Sequence, residues 1–76
     1  MQDGQTSHAA LSHAGFEPGA YYTTRQAAAI TGHSTKAFEA WRLRGEGPRF
    51  VKLGRSVRYR GEDLLSWISA NLRDVT

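Results

Sequence analysis

The sequence predicts a small, mainly α-helical fold with one two-stranded β-hairpin, in the order helix, helix, strand, strand, helix. Three observations support this prediction. Two short helical segments follow one another between capping residues, a basic stretch of extended character contains a glycine turn, and an apolar stripe with helical spacing comes after that stretch. The chain has 76 residues, which is enough for one domain with a small core.

The first predicted helix begins after Thr23. Thr23 and Gln26 have the Thr-x-x-Gln spacing of a capping box, in which each side chain accepts a hydrogen bond from the backbone of the other residue. Good helix formers continue over residues 27–30, and Gly32 follows at the position of a C-terminal cap. The helix is therefore expected to be about two turns long.

The second predicted helix covers residues 35–44, between an N-cap at Ser34 and Gly45. About three residues separate it from the first helix, a spacing typical of a helix-turn-helix. Phe38 and Trp41 lie three residues apart and mark its buried side, so they are interpreted as core side chains. The opposite side is the candidate surface for reading a ligand and consists of Lys36, Glu39, Ala40 and Leu43.

The predicted hairpin covers residues 49–60 and is called the wing below. It alternates basic with apolar side chains, which predicts one face packed on a core and one face that projects positive charge. Gly54 and Arg55 suit a two-residue turn. The charges also have a plain structural interpretation, because basic residues protect exposed sheet edges from aggregation. The wing holds half of the chain's ten lysines and arginines, namely Arg49, Lys52, Arg55, Arg58 and Arg60.

The charge is distributed unevenly along the chain. Residues 25–60 carry nine basic residues and two carboxylates, a net charge near +7, whereas the remainder carries Arg73 and five carboxylates, a net charge near −4. A basic centre of this kind favours a polyanion as the partner. The sequence has no cysteine, which excludes thiolate zinc sites, and its histidines show no metal-ligand spacing. No catalytic constellation emerges, so we predict a protein that is not an enzyme and needs no cofactor.

The third predicted helix begins at Glu62 and Asp63, whose carboxylates favour a helix N-terminus. Apolar side chains at helical spacing continue it to Leu72. The helix closes a core that the sequence predicts to contain Phe38, Trp41, Phe50, Val57, Tyr59, Leu64 and Trp67.

Residues 21–72 are expected to form the domain, with residues 73–76 as a short tail. Residues 1–20 are expected to be a flexible arm, because Leu11 and Phe16 are their only large apolar side chains apart from Met1, and burial cannot offset the entropy of ordering them. No apolar run approaches the roughly 20 residues of a membrane span, and the first residues are not expected to act as a signal peptide.

The order and spacing of these motifs resemble the excisionase and AlpA-type family of small, MerR-like winged helix-turn-helix proteins. The resemblance covers about residues 21–69. Four residues depart from the usual pattern. Leu43 places an aliphatic side chain on a face that often carries charge, and the other three are His33, Ala37 and Ala40. The matching motifs are Tyr-Tyr-Thr-Thr-Arg-Gln-Ala-Ala at 21–28, the spacing Trp41, Gly45, Pro48, then Val-Lys-Leu-Gly-Arg at 51–55 and Val-Arg-Tyr at 57–59, followed by Asp63-Leu64 and Trp67-Ile68.

The resemblance implies sequence-specific binding of double-stranded DNA, with the second helix in the major groove and the wing on the adjacent backbone or minor groove. Glu39 could accept a hydrogen bond from cytosine N4 or simply pair with Lys36 or Arg42. The predicted DNA contacts are Thr35, Lys36, Glu39, Ala40, Arg42, Leu43 and Arg44 on the second helix, Arg49, Lys52, Arg55, Ser56, Arg58 and Arg60 on the wing, and Thr24 and Arg25 on the first helix.

Members of this family act as recombination directionality factors or as small transcriptional regulators. The predicted role is an excisionase that binds tandem sites cooperatively, self-associates on the DNA, bends it and directs a site-specific integrase towards excision. An AlpA-type transcriptional regulator is the alternative. A winged helix that binds protein or RNA is a further alternative, because fold does not determine function. No membrane and no small-molecule substrate are expected as partners, and the expected location is the nucleoid in the cytoplasm of a bacterial or phage-infected cell.

Overall fold

A computed structural model describes residues 15–72 and confirms the predicted fold class. Within these residues, three helices pack with a small antiparallel sheet in the arrangement of a winged helix. The second helix covers residues 35–44, as predicted. The third helix ends at Ala70, two residues before the predicted end at Leu72. The elements are β1 (Tyr21–Tyr22), α1 (Thr24–Thr31), α2 (Thr35–Arg44), β2 (Val51–Leu53), β3 (Ser56–Arg60) and α3 (Gly61–Ala70).

Both α1 and α2 form their predicted caps. The Thr23 hydroxyl accepts a hydrogen bond from the Gln26 N–H at 3.0 Å, and the Gln26 side chain accepts one from the Thr23 N–H at 2.9 Å, which completes the capping box. Ser34 accepts a hydrogen bond from the Ala37 N–H at 3.1 Å. Gly32 follows α1 in the left-handed conformation, as predicted. Gly32 thus ends α1, and Ser34 begins α2 on the other side of the turn.

The sheet has the order β1-β3-β2, and both pairings are antiparallel. A turn at Gly54, whose φ is 67°, joins β2 to β3. The register of the β2–β3 pair places Lys52 opposite Val57 and Arg58 opposite Val51. Residues directly opposite one another share a face of a sheet, so each face of the wing carries both cationic and aliphatic side chains. The prediction that the wing has a single cationic face is therefore wrong.

The segment before β1 is part of the domain. Phe16 is only 1% exposed and packs edge-on against Tyr22, with ring centroids 4.9 Å apart. The Glu17 N–H donates a hydrogen bond to the Tyr22 hydroxyl at 2.7 Å. The prediction of a flexible arm is therefore wrong for residues 15–20, and residues 1–14 lie outside the described part of the chain.

Residues 17–20 also complete the N-terminus of α3. The Gly61 N–H donates to the Ala20 carbonyl at 2.8 Å, and the Glu62 N–H donates to the Pro18 carbonyl at 3.0 Å. These bonds take the place of a side-chain cap, which the N-cap residue Arg60 does not provide. Gly61 is buried here, and a Cβ at this position would overlap the carbonyl of Glu17. Backbone thus packs on backbone where α3 begins.

The core is centred on the fully buried Phe38. Its ring centroid lies 5.1 Å from that of Trp41, 5.5 Å from that of Tyr59 and 5.9 Å from that of Trp67. Of the predicted core residues, Phe50 is 39% exposed and only borders this cluster. Leu72, assigned to the stripe of the third helix, is 76% exposed because the helix ends at Ala70. The buried hydrophobic residues are Phe16, Ala27, Ala28, Phe38, Tyr59 and Leu64.

Candidate nucleic-acid interface

The outer side of α2 is the predicted reading surface, and no residue among 15–72 covers it. Phe38 points into the core, whereas Lys36, Glu39 and Leu43 are exposed and Ala40 is half-buried. Thr35 is exposed at the first position of the helix. A helix face of this kind, supported from behind by an aromatic core, can enter a groove without rearrangement of the fold.

Glu39 forms none of the ion pairs found between residues 15 and 72. In the described part of the chain, Glu39 therefore does not pair with Lys36 or Arg42, which was one of its two predicted roles. The carboxylate remains available to a donor on a ligand.

Arg42 connects four parts of the domain. Its Nη1 donates to the Tyr59 hydroxyl at 2.7 Å and to the Thr24 hydroxyl at 3.3 Å, so α2 is tied to β3 and to the start of α1. Its guanidinium carbon also lies 5.6 Å from the centroid of the Phe50 ring, within the range of a cation–π contact. The sequence offered no signal for this arrangement, because the partners are 17 and 18 residues away. Arg42 is thus a structural link within the predicted DNA-binding surface.

Arg44 forms an ion pair with Glu46 at 3.2 Å, and both side chains are more than half exposed. Such exposed pairs contribute little to stability. The Arg44 guanidinium can therefore exchange Glu46 for a phosphate at small cost.

A cleft of about 410 Å³ lies between α2 and the wing. On the wing side its lining includes Lys52, which shares a face of the sheet with Val57. This cleft, called the α2–wing cleft below, brings one predicted wing contact directly beside the predicted reading helix. Its lining residues are Glu39, Arg42, Leu43, Phe50, Lys52 and Val57.

Two further predicted wing contacts are exposed. Arg49 borders a smaller cleft of about 300 Å³ next to Arg42, and Arg55 lies in the turn at the tip of the wing. Ser56, the first residue of β3, is exposed beside it. These positions extend the basic surface from the α2–wing cleft to the tip.

Arg58 and Arg60 differ from the other wing cations because protein groups already hold them. Arg58 Nη1 donates to the Val57 carbonyl at 2.9 Å. Arg60 forms ion pairs with Asp63 at 2.8 Å and Glu62 at 3.1 Å. The hydrogen bond to Asp63, and then the negative charges of Asp63 and Glu62, raise the pKa of the Arg60 guanidinium above its ordinary value. Both side chains lie half-buried on the face of the hairpin opposite to Lys52.

On α1, the Thr24 hydroxyl accepts the hydrogen bond from Arg42, and Arg25 is exposed.

The predicted cations therefore fall into two groups. Four are engaged by protein acceptors: Arg42, Arg44, Arg58 and Arg60. Five are exposed and form no ion pair or side-chain hydrogen bond with any residue of the described part; these free cations are Arg25, Lys36, Arg49, Lys52 and Arg55.

In a comparison with protein families, the family described as Helix-turn-helix domain matches residues 21–72, more than half of the chain. The chain belongs to this helix-turn-helix family. The family includes excisionase-like and AlpA-like small DNA-binding proteins, and its members are typically not enzymes. The helix-turn-helix domain therefore implies double-stranded DNA as the partner. No curated protein matches the sequence at a significant level.

The helices between residues 15 and 72 all lack the combination of length and apolar character that a membrane span requires.

Proposed function

We propose that this helix-turn-helix protein binds specific sites in duplex DNA, with α2 in the major groove and the α2-facing side of the wing on the adjacent backbone. The observation that carries this proposal is the α2–wing cleft, whose lining combines the exposed reading side of α2 with the free cation Lys52. Lysines and arginines without a protein partner bind phosphates at the lowest cost, because no intramolecular bond has to break.

The dimensions of α2 fit this docking. Its ten residues give a helix of about 15 Å, and the major groove, about 12 Å wide, admits one helix. Lys36 and Glu39 lie near its N-terminal end, which is the part that usually contacts base edges. Thr35 at the first position lies where backbone N–H groups can bind a phosphate.

Within this family we favour an excisionase that loads onto tandem sites and directs an integrase towards excision in the cytoplasm, on the nucleoid. A single module of this size buries about 600–1,000 Å² on DNA, which is modest for a specific complex. Several copies on neighbouring sites would raise the affinity of each, and bending of the DNA would bring them closer together.

The contact between copies is expected to be electrostatic, since the basic centre of one copy can approach a less basic edge of the next. Glu62 and Asp63 at the start of α3 are held by Arg60, so they can serve this contact only in competition with that pair. Asp74, which the sequence also offers for it, lies outside the described residues.

The test uses the full chain and a random-sequence duplex library from which bound DNA is selected and sequenced. We expect enrichment of a short site, tighter binding per copy when two sites lie in tandem, and a bend in a circular-permutation gel. Deletion of the gene should lower the excision frequency of the mobile element that carries it. Enrichment of one isolated site without a bend or an effect on excision would favour the AlpA-type regulator instead.

The same selection with an RNA library covers the remaining alternative. Enrichment of RNA but of no duplex would contradict the proposal, and so would binding to duplex that does not depend on salt, because neutralisation of phosphates releases counterions.

A further inference from the structure

Leu43 is the most exposed of the large hydrophobic side chains in the described part of the chain, at 89%. It contributes no burial to the core. It lies seven residues after Lys36 and four after Glu39, so the three side chains share one face of α2 over two turns. The apolar group therefore lies within the row of side chains that is proposed to read base edges.

The surroundings of Leu43 indicate what kind of partner could cover it. It lines the α2–wing cleft together with Phe50 and Val57, so apolar side chains of the helix and of the wing border the same cleft. Lys52 lines the same cleft, and Lys36 stands on the same side of α2. A partner that presents an apolar group next to negative charge is therefore complementary to this surface.

Duplex DNA presents this combination at one kind of position. In the major groove, the C5-methyl group of thymine is the apolar feature of the base edges, and the phosphates flank it. Glu39 lies one turn before Leu43, and its ionised carboxylate can only accept hydrogen bonds. The two side chains would therefore read different features of neighbouring base pairs, a hydrogen-bond donor and a methyl group.

We infer that Leu43 is a specificity-determining residue that packs against the methyl group of a thymine in the bound site. This inference rests on the proposed function, and it adds a base identity that charge alone cannot select. In such a complex the DNA would cover the exposed side chain of Leu43.

The experiment first selects a site with the full chain from a random duplex library that contains thymine. Each thymine of that site is then replaced, one at a time, by uracil, which lacks the methyl group but keeps the same hydrogen-bonding edge. Burial of one methyl group corresponds to a change of about fourfold in affinity. We expect a loss of this size at one or two positions and none at the others.

The Leu43→Ala variant assigns the effect to the residue. Alanine is a good helix former and position 43 is exposed, so the variant should fold like the parent protein. It should bind the thymine site at least as weakly as the parent binds the critical uracil site, because more apolar surface is removed, and replacement by uracil should then cost nothing further. The matched control is Leu72→Ala, an exposed leucine outside the α2–wing cleft, which should keep the full uracil penalty.

Two results would overturn the inference while the proposed function stands. In one, a site is selected but the parent protein binds every uracil derivative as well as the thymine site. In the other, Leu43→Ala shows the same uracil penalty as the parent protein. If no duplex is enriched at all, the proposed function fails, and the inference fails with it.

Discussion

The two faces of the wing carry the same kind of side chains but differ in what holds their cations. On the face towards α2, Lys52 is exposed beside Val57 and forms no ion pair within residues 15–72. On the opposite face, Arg58 donates to a backbone carbonyl and Arg60 is held by two carboxylates. A phosphate can bind Lys52 without competition, whereas at Arg60 it must compete with two carboxylates and at Arg58 one N–H donor is already used. The number of basic residues in a segment is therefore a poor measure of how many can bind DNA.

The largest expected effect is on stability and concerns the aromatic cluster of the core. Phe38→Ala removes the ring at the centre of the aromatic cluster and should cost about 3–5 kcal/mol of unfolding free energy, which a small domain can hardly tolerate. Leu53→Ala on the exposed wing surface should change stability by less than about 0.5 kcal/mol. Chemical denaturation measures both. A cooperative Phe38→Ala transition close to that of the parent protein would contradict the assigned core.

The next effect concerns the segment that packs against the start of α3. Gly61→Ala places a Cβ against the Glu17 carbonyl and should destabilise the domain by about 1–3 kcal/mol, because backbone must move to make room. Gly19→Ala is the matched control, since a Cβ there meets nothing within 4 Å. Thermal unfolding compares the two variants. Equal melting temperatures would show that residues 17–20 do not pack on α3.

A somewhat smaller effect is expected for the link that joins α2 to the wing. Arg42→Met keeps the apolar stem but removes the hydrogen bonds to Tyr59 and Thr24, which should cost about 1–2 kcal/mol of stability. Arg44→Met loses only an exposed ion pair with Glu46 and should cost between about 0 and 1 kcal/mol. Urea titrations distinguish the two. If Arg44→Met is the more destabilising change, the role assigned to Arg42 is wrong.

The smallest expected effect is on the salt dependence of DNA binding, and it compares the cations on the two faces of the wing. Lys52→Ala should lower the slope of log affinity against log salt by about one unit on random duplex, as expected for one lost phosphate contact. Arg58→Ala should lower it by clearly less, because its half-buried side chain lies on the face of the wing opposite to Lys52, away from the proposed DNA surface. Fluorescence anisotropy at a series of salt concentrations measures both slopes. Equal decreases would mean that the DNA contacts both faces of the wing.

Much of the fold could be predicted because its signals are local. The capping box at Thr23 and the N-cap at Ser34 act over three residues, and the structure forms both. The register of the wing also follows from a two-residue turn at Gly54, so the mixed character of its faces was accessible to sequence reasoning. The error came from treating the alternation of basic and apolar residues as continuous across the turn.

Other features depend on contacts between distant residues, and the sequence carries no pattern for them. Phe16 is a single aromatic residue in a polar segment, and only its packing against Tyr22 makes it part of the core. A two-residue strand such as β1 is too short for an alternation to be detected. The partition of the cations into free and engaged groups likewise requires the positions of Tyr59, Asp63 and the Val57 carbonyl.

The central claim is that DNA lies on the outer side of α2 and on the face of the wing that looks towards it. NMR chemical-shift changes during titration of the labelled full chain with duplex DNA test this most directly. The largest changes are expected at Lys36, Leu43 and Lys52, with little change around the cleft of about 470 Å³ that Ile30, Ile68 and Leu72 line on another side of the domain. Largest changes at that second cleft, with α2 and Lys52 unaffected, would contradict the claim.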